Sequence, residues 1–312
     1  MLARDTVPET QEGLKKIAGM KRSFVFYCAM TLMTTSVVAQ YEPDTVFTPG
    51  WNLGINTGYY KASSNHAGYY DGRPQNENNI NYVLSNPYWH QDIKEELMDE
   101  ISRDSFWLEE YPAQMKYNAA MMFGFVARYN YSADFSLNFQ FNFAKLHLND
   151  FFNLEVWPAI PGNVQSFVSC PIIGVESRSN IDFSMMFSFA SEKKSPVKPF
   201  FEIGVNLNSV NVKTAQIQIF DLTYNIRDVY GGLPYVPNMP LSEYPIKQGG
   251  VGYGLYSSVG ARYIMSKDFW IELLGMINYS TINLEGYKGF GLHWAPVLRL
   301  VLSPAMLNAQ VY

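Results

Sequence analysis

The feature that most constrains this fold is a stretch in which apolar and polar side chains alternate without exception. From Phe135 to Phe143, every odd-numbered residue is Phe or Leu, and every even-numbered residue is Ser, Asn or Gln. Because successive side chains of a β-strand point to opposite faces, this strand has one apolar and one polar face. The polar face carries amides and hydroxyls rather than the charges of a solvated surface. This combination is typical of a strand between lipid and a polar barrel interior.

Similar alternation recurs along the chain, and the connections between the strands differ in length. The predicted strands are 51–60, 116–131, 135–148, 171–190, 199–213, 251–265, 269–283 and 290–302. Short turns at 132–134, 191–198 and 266–268 alternate with longer connections at 61–115, 149–170 and 214–250, and 284–289 is brief. Outer-membrane barrels combine short periplasmic turns with longer extracellular loops.

The pattern therefore predicts an all-β fold, an eight-stranded antiparallel transmembrane β-barrel with long extracellular loops. Ten strands are possible if 151–156 and 171–190 are divided differently. A soluble β-sandwich explains the alternation but not the asymmetry of the loops.

The N-terminal region has the features of a secretory signal. Basic residues at 20–22 precede the apolar segment 24–33, and small residues end at Ala39. This pattern predicts a signal peptide over 20–39, cleaved after Ala39, and a location in the bacterial outer membrane. We interpret 1–19 as an upstream extension and 40–312 as the mature barrel. The alternative to a cleaved signal is a permanent membrane anchor, and the alternative for 1–19 is a genuine cytoplasmic extension.

Composition limits the partners and the chemistry. The net charge of -5 argues against a nucleic acid partner, which would require a basic face. None of the four histidines has metal-ligand spacing to another, and the sequence contains no Gly-rich phosphate loop or paired CxxC, so neither a metal nor a cofactor is predicted. The expected partners are membrane lipids, lipopolysaccharide and other proteins of the envelope.

Side-chain parity places charged residues inside the predicted barrel. They are Arg128, Glu176, Arg178, Asp182, Glu202, Arg262, Glu272 and Arg299. Because desolvated charges must pair, we expect these four acids and four arginines to form a salt-bridged plug in the narrow interior. A narrow channel, a proton path or a ligand-binding barrel is the alternative.

The first outer loop, 61–115, is too long to serve only as a connection. Residues 92–103 have an apolar stripe on an otherwise acidic helix. This helix could cap the barrel mouth, or it could form a docking surface together with aromatic residues of a later Pro-rich loop. The contact candidates are Trp89, Ile93, Leu97, Ile101, Tyr230, Tyr235 and Tyr244.

One arrangement bears on enzymatic activity. His147 and Ser169 share the lipid-facing parity near the outer ends of neighbouring strands, and Asn149 is a possible third group. A Ser–His pair at that position would suit an outer-membrane lipid hydrolase. Because the spacing is not diagnostic, this activity is only a remote alternative to a protein that is not an enzyme.

Three short motifs carry a family resemblance. They are Ala39-Gln40 at the end of the signal, Cys170-Pro-Ile-Ile-Gly174 opening one strand, and Lys198-Pro-Phe-Phe-Glu-Ile-Gly204 opening the next. In this layout the chain resembles the PorT-like outer-membrane β-barrel proteins of bacteria with type IX secretion. The resemblance implies a small barrel that acts as a structural or accessory component of an envelope or secretion assembly, and it implies no catalytic residues.

Overall fold

The computed structural model describes residues 49–303, except for 77, 158–166, 190–195, 228, 231–232, 241–248, 267 and 285. The predicted signal peptide, the upstream extension and Tyr244 lie outside the described residues. The strands are β1 (Gly50–Tyr60), β2 (Ser105–Glu110), β3 (Ala120–Asn130), β4 (Phe135–Trp157), β5 (Phe167–Ser188), β6 (Val197–Ile219), β7 (Leu222–Asn225), β8 (Val251–Ile264), β9 (Phe269–Thr281) and β10 (Phe290–Leu302). A 3-10 helix (Ser64–Tyr70), α1 (Ile80–Ser85) and α2 (Pro87–Ile101) lie between β1 and β2.

Eight of these strands close into a ring in the order β1-β3-β4-β5-β6-β8-β9-β10, and β10 pairs back with β1. Each pairing in the ring is antiparallel. The predicted eight-stranded barrel is confirmed. The other two strands lie outside the ring, where β2 pairs with β4 and β7 pairs with β6.

The outside of the ring carries a continuous apolar belt. Phe125 is 67% exposed, Leu273 66% and Leu255 63%, although all three lie on regular, fully paired strands. Side chains of this size are exposed at such density when they face lipid rather than water. We take the membrane-spanning segments to be 51–59, 121–131, 135–143, 181–187, 201–207, 251–263, 269–279 and 290–302.

Beyond the belt, β4, β5 and β6 continue past the ring at its long-loop end. They pair with β2 and β7 to form a five-stranded antiparallel sheet in the order β2-β4-β5-β6-β7, which we call the upper sheet. Along β4 the apolar face changes sides at this level. Leu146, Leu148, Phe152 and Leu154 point inward and are buried, whereas Lys145 on the outward face is exposed. The upper sheet thus has the apolar inside of a water-soluble structure.

The helix predicted at 92–103 is present but begins earlier and ends earlier, because its caps decide its limits. The Asn86 side chain accepts hydrogen bonds from the backbone N–H groups of Tyr88 and Trp89, and Pro87 occupies the first turn. At the other end Ser102 adopts a left-handed conformation (φ 56°), which terminates the helix. Among the described residues, no helix is long and apolar enough to cross a membrane.

Candidate functional site

The charged residues predicted to face inward all lie inside the barrel. Arg262 is 12% exposed, and the other seven side chains are fully buried. The structure brings seven of the eight together in two groups rather than one. We call the group nearer the short turns the lower cluster; its members are Arg128, Glu202, Arg262, Glu272 and Arg299. Glu176 and Arg178 belong to a separate upper cluster near the barrel mouth.

Glu272 is the centre of the lower cluster. Arg128 binds it through both terminal nitrogens, with Nη1–Oε1 and Nη2–Oε2 distances of 2.5 and 2.8 Å. Arg262 donates to it from Nε at 2.9 Å, and Arg299 donates from Nη1 at 3.0 Å. Arg299 also reaches Glu202 Oε1 at 2.7 Å, which links the two carboxylates. Because planar guanidinium groups bind carboxylates in fixed geometry, three arginines hold two acids tightly across the barrel.

The amide-bearing face of β4 completes the hydrogen bonding of this cluster. Asn138 Oδ1 accepts from Arg128 Nε at 2.7 Å, and Gln140 Oε1 accepts from Arg299 Nη2 at 2.9 Å. The same two amides donate to Glu202, as does the hydroxyl of Tyr256 at 2.6 Å. The uncharged polar face that marks this strand in the sequence therefore serves to satisfy buried charges.

Asp182 differs from the other acids because the structure gives it no ion pair with a described residue. The side chain of Asn206 donates to Asp182 Oδ1 at 2.6 Å, and that of Asn142 donates to Oδ2 at 3.4 Å. The sequence-based expectation that all four acids pair with arginines is therefore wrong for this position. Amide donors replace the guanidinium, since the arginines of the lower cluster are engaged by Glu202 and Glu272.

The upper cluster joins the barrel wall to the first loop. Glu176 pairs with Arg178 and accepts hydrogen bonds from the hydroxyls of Tyr70 at 2.6 Å and Tyr117 at 3.1 Å. Tyr70 comes from the 3-10 helix and Tyr117 precedes β3, and sequence reasoning assigned neither a role in the interior. Gly174 is an indication of this contact in the sequence, because a Cβ at that position would lie 2.6 Å from the Tyr70 ring. A glycine at an inward position marks the approach of another group.

Two histidines connect the 3-10 helix to β10 above this cluster. The rings of His66 and His293 stack with centroids 5.4 Å apart, and His66 Nε2 lies 2.8 Å from the carbonyl oxygen of Gly289. Burial lowers the pKa of His66, which favours the neutral ring in this contact. Hydrogen bonds and ring stacking from several side chains thus hold the first loop in the barrel mouth.

The helices of the first loop fill the space enclosed by the upper sheet. Ile93 and Leu97 are fully buried, and Trp89 stacks on the ring of Tyr235 at 4.6 Å. Ile101 and Tyr230 are half-buried and pack against the same apolar core. The interpretation of these residues as a docking surface for a partner is therefore wrong for Trp89, Ile93 and Leu97. Their apolar side chains are covered by the protein itself, because the inward face of the upper sheet is apolar too.

Cys170 lies in this same core, on the upper part of β5. Its side chain is buried, and burial raises the pKa of the thiol to about 12. Because its side chain is buried among the apolar residues of this core, Cys170 is a packing residue. No group of three or more His, Cys, Asp and Glu side chains in the described part of the chain could hold a metal ion.

The register of β4 and β5 separates the two residues considered for lipid hydrolysis. His147 lies opposite Val175, whereas Ser169 lies opposite Asn153 and donates to its side chain at 2.6 Å. Six residues of strand separate Val175 from Ser169, a distance of about 20 Å. Asn149 is hydrogen-bonded to Asn118 instead. The proposed Ser–His pair does not form, since the long β4–β5 ladder places the two side chains at different heights.

The closed ring, the outward apolar belt and the filled interior together define the class of the fold. The chain is a transmembrane β-barrel of the outer-membrane type. No family model and no curated protein matches its sequence. The PorT-like resemblance therefore stays a prediction.

Solved structures similar to this barrel include Neisserial surface protein A, at 11% identity and a TM-score of 0.39 over 82% of this chain and 99% of that one. OprG from Pseudomonas aeruginosa is 9% identical, with a TM-score of 0.34 over 83% of this chain and 96% of its own. Ail of Yersinia pestis is 9% identical, with a TM-score of 0.30 over 80% and 98%. Identities and scores this low carry no inference about activity.

Proposed function

We propose that this protein is a closed, non-enzymatic barrel of the bacterial outer membrane that serves as a structural or accessory component of an envelope assembly. The observation that carries the proposal is the lower cluster. Its side chains cross the interior of an eight-stranded ring and are buried almost completely. Barrels of this size have an interior just wide enough for side chains to fill.

The proposed orientation places the short turns in the periplasm and the upper sheet outside the cell. Short periplasmic turns and longer external loops are general in such barrels. In this orientation the upper sheet, α1 and α2 form a folded platform above the membrane, and their buried apolar side chains belong to a core that continues into the barrel. A platform of this kind suits contacts with other envelope proteins, and the PorT-like motifs favour a role beside a secretion machine.

A closed barrel is expected to carry no ions. Wild-type protein reconstituted in planar bilayers should add no single-channel steps above the noise, whereas an open porin in the same bilayer provides the positive control. The Arg262→Ala/Glu272→Ala barrel should remain silent too, because the apolar core still covers its mouth. Wild-type steps whose size changes in this variant would contradict the proposal and support the narrow channel.

An accessory role predicts stable partners. Tagged protein extracted from native outer membranes in mild detergent should retain envelope proteins in fixed stoichiometry, identified by mass spectrometry. A variant with charge reversals on the exposed face of α2, Asp99→Lys/Glu100→Lys, tests whether the platform carries the contact. Recovery of the barrel alone, from wild type as well as variant, would contradict the accessory role.

A further inference from the structure

A groove opens on the outside of the barrel between β3 and β4, where the apolar belt ends at the long-loop side. Its volume is about 340 Å³, and we call it the β3–β4 groove. Met121, Phe123 and Phe143 form an apolar floor that is continuous with the belt. Lys145 and His147 line the same groove on the side away from the belt. The groove is therefore amphipathic, with its apolar part toward the membrane.

An irregularity in strand pairing creates this groove. The regular ladder ends at the pair Met122–Ala144 and resumes at an isolated bridge between Tyr117 and Leu148. Residues 118–121 thus stand against 145–147, which leaves one extra residue on the β3 side. Extra residues of this kind bend a strand and redirect side chains, and they are common beside functional sites. The small side chains of the adjacent residues 119 and 120 leave the resulting space open.

The charge of the groove has one sign. Lys145 and His147 are its only ionisable lining residues, and both are exposed. Within the described part of the chain, neither forms an ion pair. Asn118 donates its side-chain N–H to Asn149, so that its Oδ1 is available to accept a hydrogen bond. Such a surface fits an anionic headgroup above an acyl chain.

We propose that the β3–β4 groove binds a phosphorylated, acylated glycolipid of the outer leaflet. Lys145 and His147 bind the phosphate, Asn118 accepts a hydrogen bond from a sugar hydroxyl, and an acyl chain lies along Phe123 and Phe143. The choice of a glycolipid rests on the proposed orientation, since the groove lies at the long-loop end of the belt.

Native mass spectrometry of the detergent-purified, folded barrel tests this inference. Diphosphoryl lipid A is titrated into wild-type protein, and the bound fraction is compared with that for phosphatidylglycerol. Because one lysine near anionic lipid contributes about a fivefold change in affinity, Lys145→Ala/His147→Ala should weaken lipid A binding by about fivefold or more. Ala119→Trp should also reduce binding, since it fills the groove while retaining both basic groups.

The control is Lys213→Ala, which removes an exposed lysine from the outward face of β6, away from the groove. This variant should bind lipid A as wild type does. Equal losses in Lys213→Ala and Lys145→Ala/His147→Ala would overturn the inference by showing a response to total charge alone. Unchanged binding in Ala119→Trp would overturn the groove as the site, and equal binding of phosphatidylglycerol would overturn the glycolipid.

These measurements use purified protein, so their outcome is independent of conductance and of protein partners. The orientation is tested separately by labelling a Met98→Cys variant on intact cells with a membrane-impermeant maleimide, because Met98 is 44% exposed on α2. Labelling supports the outer-leaflet assignment. Protection from the reagent in intact cells, with labelling after lysis, would overturn it.

Discussion

Replacing Glu272 with Gln is expected to destabilise the barrel by about 3–5 kcal/mol, the cost of breaking a buried ion pair by removing one partner. Glutamine keeps the size of the side chain but removes the charge that Arg128, Arg262 and Arg299 share. Two of these guanidinium groups have no contact with water, because Arg128 and Arg299 are fully buried, whereas Arg262 is 12% exposed. After the substitution, Glu202 is the only carboxylate of the lower cluster left to balance them.

Urea titration of the barrel refolded in lipid vesicles, followed by tryptophan fluorescence, measures this effect. Ser258→Ala is the matched control, since Ser258 is a buried interior residue whose hydroxyl has no hydrogen-bond partner. Its expected change is within about 1 kcal/mol, because no interaction is lost. If Glu272→Gln lowers the free energy of unfolding no more than Ser258→Ala does, the lower cluster does not stabilise the barrel.

A double-mutant cycle separates the pair from its surroundings. Arg128→Met and Glu272→Gln should be coupled. The double variant should therefore lose less unfolding free energy than the two single variants lose in sum. Groups in direct contact in one network show coupling of about 0.5–3 kcal/mol. Additive losses would contradict the bidentate contact between the two side chains.

Truncating Leu97 to Ala is expected to destabilise the covered mouth by about 2–5 kcal/mol, the usual cost of deleting a buried leucine side chain. Leu97 is fully buried between α2 and the upper sheet. The lower cluster and the lipid-facing belt do not involve this residue. The variant should therefore loosen α1, α2 and the upper sheet while the eight-stranded ring stays closed.

Hydrogen exchange read by mass spectrometry distinguishes the two regions. Exchange should accelerate over 80–110 in Leu97→Ala and remain slow in the ring strands. Met98→Ala provides the control one residue away, since that side chain is exposed and its removal leaves no cavity. Equal protection in the two variants would contradict the packing of α2 into the mouth, and acceleration throughout the ring would show that mouth and barrel unfold together.

Within the belt, local pattern was sufficient to predict the structure. Phe135, Leu137 and Phe139 face outward, while Asn138 and Gln140 face inward, because the period of a strand is fixed and lipid and interior demand opposite polarity. The same parity placed each charged residue of the lower cluster inside the ring. It could not show which acid meets which arginine, since those contacts join strands that are distant in sequence.

Beyond the belt the sequence was less informative, because the solvent outside the sheet changes from lipid to water. The apolar face of β4 then moves to the inside, and prediction ended the strand at 148 rather than at Trp157. The change is visible in retrospect at Lys145, Leu146 and Leu148. A prediction that follows one outward apolar face ends the strand where that face becomes polar.

The sequence by itself determined the ring, its strand parity and the acidic helix, because each depends on a local period set by backbone geometry. Only the tertiary structure decided that this helix is buried in the mouth, that Tyr70 reaches Glu176, and that His147 and Ser169 lie far apart. Those facts depend on which surfaces meet across the closed ring. Such contacts arise from register and packing among segments far apart in the chain, and a local pattern does not show which segments meet.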